Sequence, residues 1–272
     1  IPLVLHGGSG ITDKDFQKAI SLGIRKVNIA TASFNSLTKK VEEYIASNEK
    51  HNYFDLNTDY EKMIASITPD DHYLKAASKA GQGIRILRQD TWEMIITFVI
   101  SQQKTIPAIR ALVEALCSRY GTKIDQFYAF PTPEQLCQAS LEDLLALKLG
   151  YRAKYIYRLC RDAVAGRLDL AHLSKLDYTA AMEYLTGFYG IGKKVANCVC
   201  LFGLHHIDAF PVDTWIEKIL NEHYYDAEKY KDLPKARLYD QMITDSFGCY
   251  KGYAGVMQQY IFNYERNVIH GK

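Results

Sequence analysis

One run of fourteen residues restricts the fold more than any other: Leu185-Thr186-Gly187-Phe188-Tyr189-Gly190-Ile191-Gly192-Lys193-Lys194-Val195-Ala196-Asn197-Cys198. Gly190 and Gly192 bracket a single apolar residue between two segments of helical pattern, so the chain turns sharply there and lays one helix back against the next. The turn leaves the first amide groups of the second helix without partners inside it. That end also carries the positive pole of the helix dipole, which makes it a natural seat for a phosphate. On Gly-x-Gly alone the segment reads equally well as a plain glycine-rich turn between helices.

Two neighbouring features sharpen the reading. Lys194 falls in the first turn of the second helix, where the positive helix end and the adjacent Lys193 both disfavour a further positive charge and suit its amine to act as a nucleophile. Ala209-Phe210-Pro211-Val212-Asp213-Thr214-Trp215 follows one helix later. Pro211 sets an extended entry and Asp213 lands at the cap of the next helix. Taken alone, Asp213 is an N-cap. A hairpin lysine with a Pro-Val-Asp nineteen residues downstream is far more specific.

Most of the chain has helical periodicity. Trp92, Ile95, Ile96, Phe98 and Val99, then Ile106, Ile109, Leu112, Val113 and Leu116, recur at helix-like spacing, and Leu141, Leu144, Leu145 and Leu147 form a further helix that stops at Gly150. Segments 153–165, 178–184, 194–204 and 214–222 read as short helices joined by tight loops. The first fifty residues differ. Strands at Leu3-Val4-Leu5 and Val27-Asn28-Ile29-Ala30 alternate with a helix from Asp13 to about Gly23 and a charged helix around Lys39, Lys40, Glu42 and Glu43, the grammar of a parallel α/β unit. The expectation is a mainly α bundle over 51–272, preceded by a truncated α/β segment over 1–50. The chain opens on Ile1, as a piece cut from something longer would.

Thirty-three Lys and Arg against 31 Asp and Glu leave a formal charge of only +2, so any nucleic-acid contact must use a local basic surface. An apolar fraction of 48% excludes wholesale disorder. No apolar run reaches the roughly 18 residues that a membrane span requires, and the start shows no signal-peptide pattern, so a cytoplasmic protein is expected, nucleoid-associated if bacterial. The six dispersed cysteines show no C-x-x-C knuckle, so reduced and mostly buried thiols are expected and no metal site.

At these residues the sequence resembles the helix-hairpin-helix (HhH-GPD) DNA glycosylases, and within them the 8-oxoguanine DNA glycosylase/AP lyases. The resemblance covers about 53–264 and includes Gly83-Ile84-Arg85-Ile86-Leu87-Arg88-Gln89-Asp90, Gly150-Tyr151-Arg152-Ala153-Lys154-Tyr155, the hairpin, and Tyr253-Ala254-Gly255. It implies that Lys194 attacks the sugar carbon and that Asp213 stabilises the cationic sugar and assists proton transfer. A monofunctional alkylpurine glycosylase of the same superfamily would keep the aspartate and lack the lysine. The resemblance further implies that Cys198 and Phe262 sandwich a flipped base and Gln258 bonds its edge. Tyr151 would wedge the duplex open, Gln103 fill the vacated space, Arg152 contact the orphaned cytosine, and Gly190, Gly192 and Lys193 seat the backbone. Without the family, Cys198 and Phe262 read as core and Tyr151 as a helix-end aromatic.

Departures from the family pattern carry their own implications. Ala108 stands where many members place a second cytosine-reading arginine, and Trp215 replaces a histidine found in some relatives. The family's N-terminal antiparallel sheet domain has no counterpart. In its place, Leu3-Val4-Leu5-His6-Gly7-Gly8-Ser9-Gly10 and Lys26-Val27-Asn28-Ile29-Ala30-Thr31 resemble the last two strands of a class II fructose- or tagatose-bisphosphate aldolase. There His6 would ligate zinc and Gly7, Ser9, Asn28 and Thr31 would surround a phosphate. The remaining zinc ligands are missing, and catalytic zinc sites use three protein ligands, so a relic without aldolase activity is expected. The expected protein is a monomeric base-excision glycosylase/AP lyase. It acts on double-stranded DNA holding an oxidised purine or an abasic site, and its chemistry needs no metal or organic cofactor. A monovalent ion at the carbonyls of 186–191 is compatible with the resemblance. The alternatives are an AP lyase or a non-catalytic hairpin protein with altered lesion specificity.

Overall fold

The computed structural model describes residues 4–6, 26–28 and 53–271. The chain divides into two compact units, Ile1–Asn52 and Tyr53–Lys272. In the first, β1 (Val4–His6) pairs in parallel with β2 (Lys26–Asn28), Leu5 lying opposite Val27. Each strand sits one residue away from its expected start. The helices expected at 13–23 and around 39–43, together with Leu3, Gly7, Ser9, Ile29, Ala30, Thr31 and the side chains of His6 and Asn28, lie outside the described residues.

The second unit is helical. In chain order it holds α1 (Tyr60–Ala65), α2 (His72–Ala80), α3 (Thr91–Ser101) and α4 (Ile106–Tyr120), then a short antiparallel hairpin of β3 (Lys123–Ile124) and β4 (Phe127–Tyr128). There follow α5 (Pro133–Leu136), α6 (Leu141–Ala146), α7 (Arg152–Val164), α8 (Leu170–Leu173), α9 (Tyr178–Thr186), α10 (Lys193–Phe202) and α11 (Thr214–Ile219), which runs into a π-helical turn at Leu220–Tyr224. The unit closes with α12 (Ala227–Tyr230), α13 (Lys235–Phe247), α14 (Ala254–Asn263) and a second π-helical turn at Tyr264–Ile269. The β3–β4 hairpin is a small strand element within the mainly α unit that was expected.

Short helices of this kind hold by caps and by burial rather than by propensity. The side chain of Asp90 accepts from the Glu93 amide at 2.8 Å to start α3, and Pro107 opens the first turn of α4. α10 packs between α3 and α9, and α14 packs on α2 and α11. Seven of the ten residues of α10, from Val195 to Leu201, are buried, and Val195, Ala196, Val199, Cys200 and Leu201 share one core with Ile95, Ile96, Val99, Ile216 and Ile261. At roughly 1.5–3 kcal/mol for each fully buried large apolar side chain, this packing fixes the helix that carries Lys194. The cysteines are unpaired, and only Cys249 is exposed. Among the described residues no helix is long and apolar enough to cross a membrane, and no cluster of three His, Cys, Asp or Glu is placed to hold a metal ion.

Candidate functional site

The turn between α9 and α10 is built by different means at its two glycines. Gly190 has φ +96°, and a Cβ there would lie 2.4 Å from Cγ of Tyr155 on α7. Only glycine combines that backbone with that approach. Its carbonyl accepts from Gln102 Nε2 at 3.1 Å, and buried Ile191 pins the turn to the core. Gly192 is the N-cap of α10 with φ −89°, and a Cβ there would meet nothing within 4 Å. No side chain caps α10, so its first amides have no side-chain acceptor at the open approach beside Gly192.

Lys193 has a partner of its own. Its ammonium reaches away to α13 and bonds both oxygens of Asp240 at 2.5 and 2.6 Å, so the charge expected to weigh on Lys194 has its own counter-ion. Lys194 is half-buried, with Nζ 5.8 Å from the centroid of the Phe98 ring. It borders a cleft of about 860 Å³ whose walls also include Gln103, Tyr151, Asp213, Trp215 and Phe262. Asp213 is indeed the N-cap of α11, with Oδ1 accepting from the amides of Trp215 at 3.0 Å and Ile216 at 2.9 Å. The cap and the cleft wall are therefore one residue.

Cys198 lies one turn of α10 beyond Lys194 and is 4% exposed. Burial pushes its thiol up to about 12, with the charges of Lys194 and Asp213 acting on it in opposite directions. It is a neutral, apolar surface at neutral pH. Gln258 is buried on α14, its Nε2 donating to Pro211 O at 3.1 Å and its Oε1 accepting from Gln259 at 2.6 Å. Neither Cys198 nor Gln258 lines the open cleft; both are buried.

The DNA-facing candidates gather around the loop after α3. Gln103 is exposed with φ +51°, a backbone that non-glycine residues rarely adopt outside functional or turn positions. Arg152 is 4% exposed, and its guanidinium donates to Gln102 O through Nε at 2.8 Å and again through a terminal nitrogen, and to Leu149 O at 3.2 Å. Three of its five N–H groups are thereby engaged within the protein. Its guanidinium also lies 4.4 Å from the ring centroid of Tyr151, which is 43% exposed.

Sequence reasoning missed three parts of the site. Phe98 lines the cleft beneath Lys194 although its place in an apolar run marked it only as core. Arg266 lines it from beyond the last recognised motif. Lys218, three residues after Trp215 on α11, donates to the carboxylate of Glu265 at 2.7 Å; this carboxylate is 2% exposed, also takes a hydrogen bond from Tyr73 at 2.8 Å and lies 3.0 Å from His270. Burial works against its charge, yet these bonds hold the carboxyl below the usual range.

The family model described as HhH-GPD superfamily base excision DNA repair protein matches residues 96–238, more than half the chain and the whole hairpin-to-α11 segment. The chain belongs to the HhH-GPD superfamily. The N-glycosylase/DNA lyase of Saccharomyces cerevisiae is 33% identical over 246 residues, covering 78% of this chain and 65% of that one. The chain thus spans just under two-thirds of the yeast relative's length. The solved structure of the Clostridium acetobutylicum 8-oxoguanine glycosylase/lyase with double-stranded DNA bearing cytosine opposite 8-oxoG superposes with a TM-score of 0.74 at 33% identity, over 83% of this chain and 76% of that one. The HhH-GPD match does not reach the start of the chain. There the family model for class II fructose-bisphosphate aldolase matches residues 1–82, and the fructose-bisphosphate aldolase of Mycoplasma genitalium is 53% identical over 49 residues, 18% of this chain and 17% of that one.

Proposed function

We propose that the protein is a base-excision DNA glycosylase with AP lyase activity. It acts on double-stranded DNA carrying an oxidised purine of the 8-oxoguanine kind or an abasic site, and residues 51–272 hold all of the chemistry. The observation that carries this reading is the placing of Lys194 and Asp213 on one cleft with Tyr151 and Gln103. Tyr151 wedges the stack and Gln103 fills the gap as the damaged nucleotide turns out into the cleft. Nζ of Lys194, as the free amine, bonds to the sugar C1′ while the glycosidic bond breaks and the base leaves with its electron pair to take up a proton. The amine loses a proton, the sugar ring opens to an imine, and removal of a C2′ proton expels the 3′ phosphate, nicking the strand. Asp213, oriented by two backbone amides, keeps a negative charge beside the positive sugar as it forms.

The flipped base is held between the neutral Cys198 and Phe262. Gln258, its amide orientation set by Pro211 O, offers the base edge its remaining N–H and lone pair. Arg152 reads the orphaned cytosine only with the N–H groups left over by Gln102 and Leu149. The backbone of one strand rests on Gly190, Gly192 and the start of α10. Residues 1–50 take no part in the chemistry. The protein works as a monomer in the cytoplasm, a reducing compartment that suits its unpaired cysteines.

The test is covalent trapping. Lys194→Gln removes the amine that the imine requires, so borohydride-dependent crosslinking to abasic duplex should vanish while salt-sensitive binding persists. Undiminished crosslinking in that variant would move the chemistry to another amine, Lys193 first, and overturn the assignment.

A further inference from the structure

The described residues hold a second concavity, of about 370 Å³, along α7. It is bordered by Lys154, Tyr157, Arg158, Arg161 and Arg167, with Asp162 as its carboxylate. Lys154, Arg158 and Arg161 recur at i, i+4 and i+7 and so share one helix face. The Asp162 carboxylate is taken mainly by Arg167, 2.6 Å from Oδ1, while Arg158 stands 3.9 Å from Oδ2. Arg161 lies over the Tyr157 ring at 3.4 Å, and Lys154 has no carboxylate partner among the described residues. Four cations against one carboxylate leave an excess of three positive charges in one hollow, in a chain whose formal net charge is +2. Such local concentration raises the energy of the free protein and is relieved by a polyanion.

The face is continuous with the proposed DNA surface. α7 starts beside Tyr151, whose ring meets Tyr155 at 5.6 Å; Tyr155 meets Tyr189 of the hairpin at 4.9 Å; and Arg158 lies over Tyr189 at 5.5 Å. Tyr189 itself is 51% exposed. From Lys154 to Arg161 the helix advances about 10 Å, close to three base-pair steps of about 3.4 Å. We infer that the Lys154, Arg158 and Arg161 face of α7 is a backbone contact that extends the grip on duplex DNA past the hairpin, on one side of the lesion. This rests on the reading of the protein as a DNA glycosylase.

The test is the salt dependence of binding to a duplex containing a stable tetrahydrofuran abasic analogue, measured by fluorescence anisotropy between 50 and 200 mM KCl. Each lost phosphate contact lowers the slope of log affinity against log salt by about 0.9. Lys154→Gln with Arg158→Gln should flatten it by about 1.8, so that over this range the unmodified protein loses about 12-fold more affinity than the double variant. Arg158→Lys should keep the slope, since it keeps the charge; loss of slope there would assign the effect to packing on Tyr189 and overturn the inference. Trimming about three base pairs from one side of the lesion should erase the difference between the proteins, and trimming the other side should not. Equal slopes in variants that melt like the unmodified protein would also overturn it. Borohydride trapping by the unmodified protein separates the two failures. Without trapping the glycosylase reading falls, whereas trapping with equal slopes removes only this contact.

Discussion

Replacing each hairpin glycine by alanine should produce opposite phenotypes. At Gly190, the positive φ costs an L-residue roughly 1–2 kcal/mol. The new methyl would stand 2.4 Å from Tyr155, and forcing a packed ring aside costs roughly 1–3 kcal/mol more. Gly190→Ala should therefore lose about 2–5 kcal/mol in urea unfolding. The Gln102 contact to its carbonyl should loosen with it. At Gly192 the backbone angle suits any residue and a methyl meets nothing. Gly192→Ala exchanges a tolerable cap for a poor one, offset in part by lower entropy of the unfolded chain, and should change stability by less than about 1 kcal/mol. Its methyl would stand in the approach to the first amides of α10, so affinity for an abasic-analogue duplex should fall about tenfold, the equivalent of ~1.4 kcal/mol. The two variants are to be compared by urea titration and by anisotropy. Unaltered stability in Gly190→Ala, or unaltered DNA affinity in Gly192→Ala, would refute the division of labour drawn from the hairpin geometry.

Further outcomes are expected elsewhere. Because the Glu265 carboxyl is held below its ordinary value of 4.5 in the folded protein, its contribution is fully present above that pH and disappears as the pH falls through the folded value. Glu265→Gln should cost about 2 kcal/mol at pH 7, the scale of hydrogen bonds to a charged group, and the gap to the unmodified protein should close below about pH 4.5; a gap independent of pH in chemical denaturation would count against it. Ala108, in the first turn of α4, cannot donate to cytosine, so excision should depend weakly on the opposite base. Ala108→Arg should strengthen the preference for cytosine by about 1–3 kcal/mol in competition assays, and a strong preference already present would contradict this. Removing residues 1–50 should leave single-turnover abasic cleavage at a similar rate, and a folded but lesion-blind product would show that the segment takes part in recognition.

Much of the helical unit was legible because its signals are local. Apolar spacing from Trp92 to Val99 and from Ile106 to Leu116 marks α3 and α4, and Gly190 and Gly192 punctuate the hairpin as the structure does. The places of Lys194 in the first turn of α10 and of Asp213 at the cap of α11 were legible because a cap and a helix start both leave residue-type signatures. What escaped depends on contacts distant in sequence. The burial of Arg152 is set by carbonyls at Gln102 and Leu149, and nothing in Gly-Tyr-Arg-Ala announces a guanidinium turned inward. Lys193 turned out to answer Asp240, 47 residues away. Phe98 serves the core and the cleft at once, stacking on Phe202 at 5.6 Å, and periodicity registers only the first role. The β3–β4 hairpin, with Ile124 and Phe127 exposed, has no alternation to betray it.

Gln102 is held from two sides, its carbonyl by Arg152 and its side chain by the carbonyl of Gly190. Gln103, Tyr151 and the hairpin are thus anchored to a single residue. Three elements proposed to meet a distorted duplex together are tied to one another within the protein itself. The ordering entropy of that loop is met when the chain folds, not at each encounter. On the proposed reading as a DNA glycosylase, such an arrangement would let undamaged sites be tested and abandoned quickly, because no loop has to be assembled on arrival or dismantled on leaving. Slackening that tie, as Gln102→Ala would, should therefore slow productive engagement of lesions more than it weakens contact with ordinary duplex.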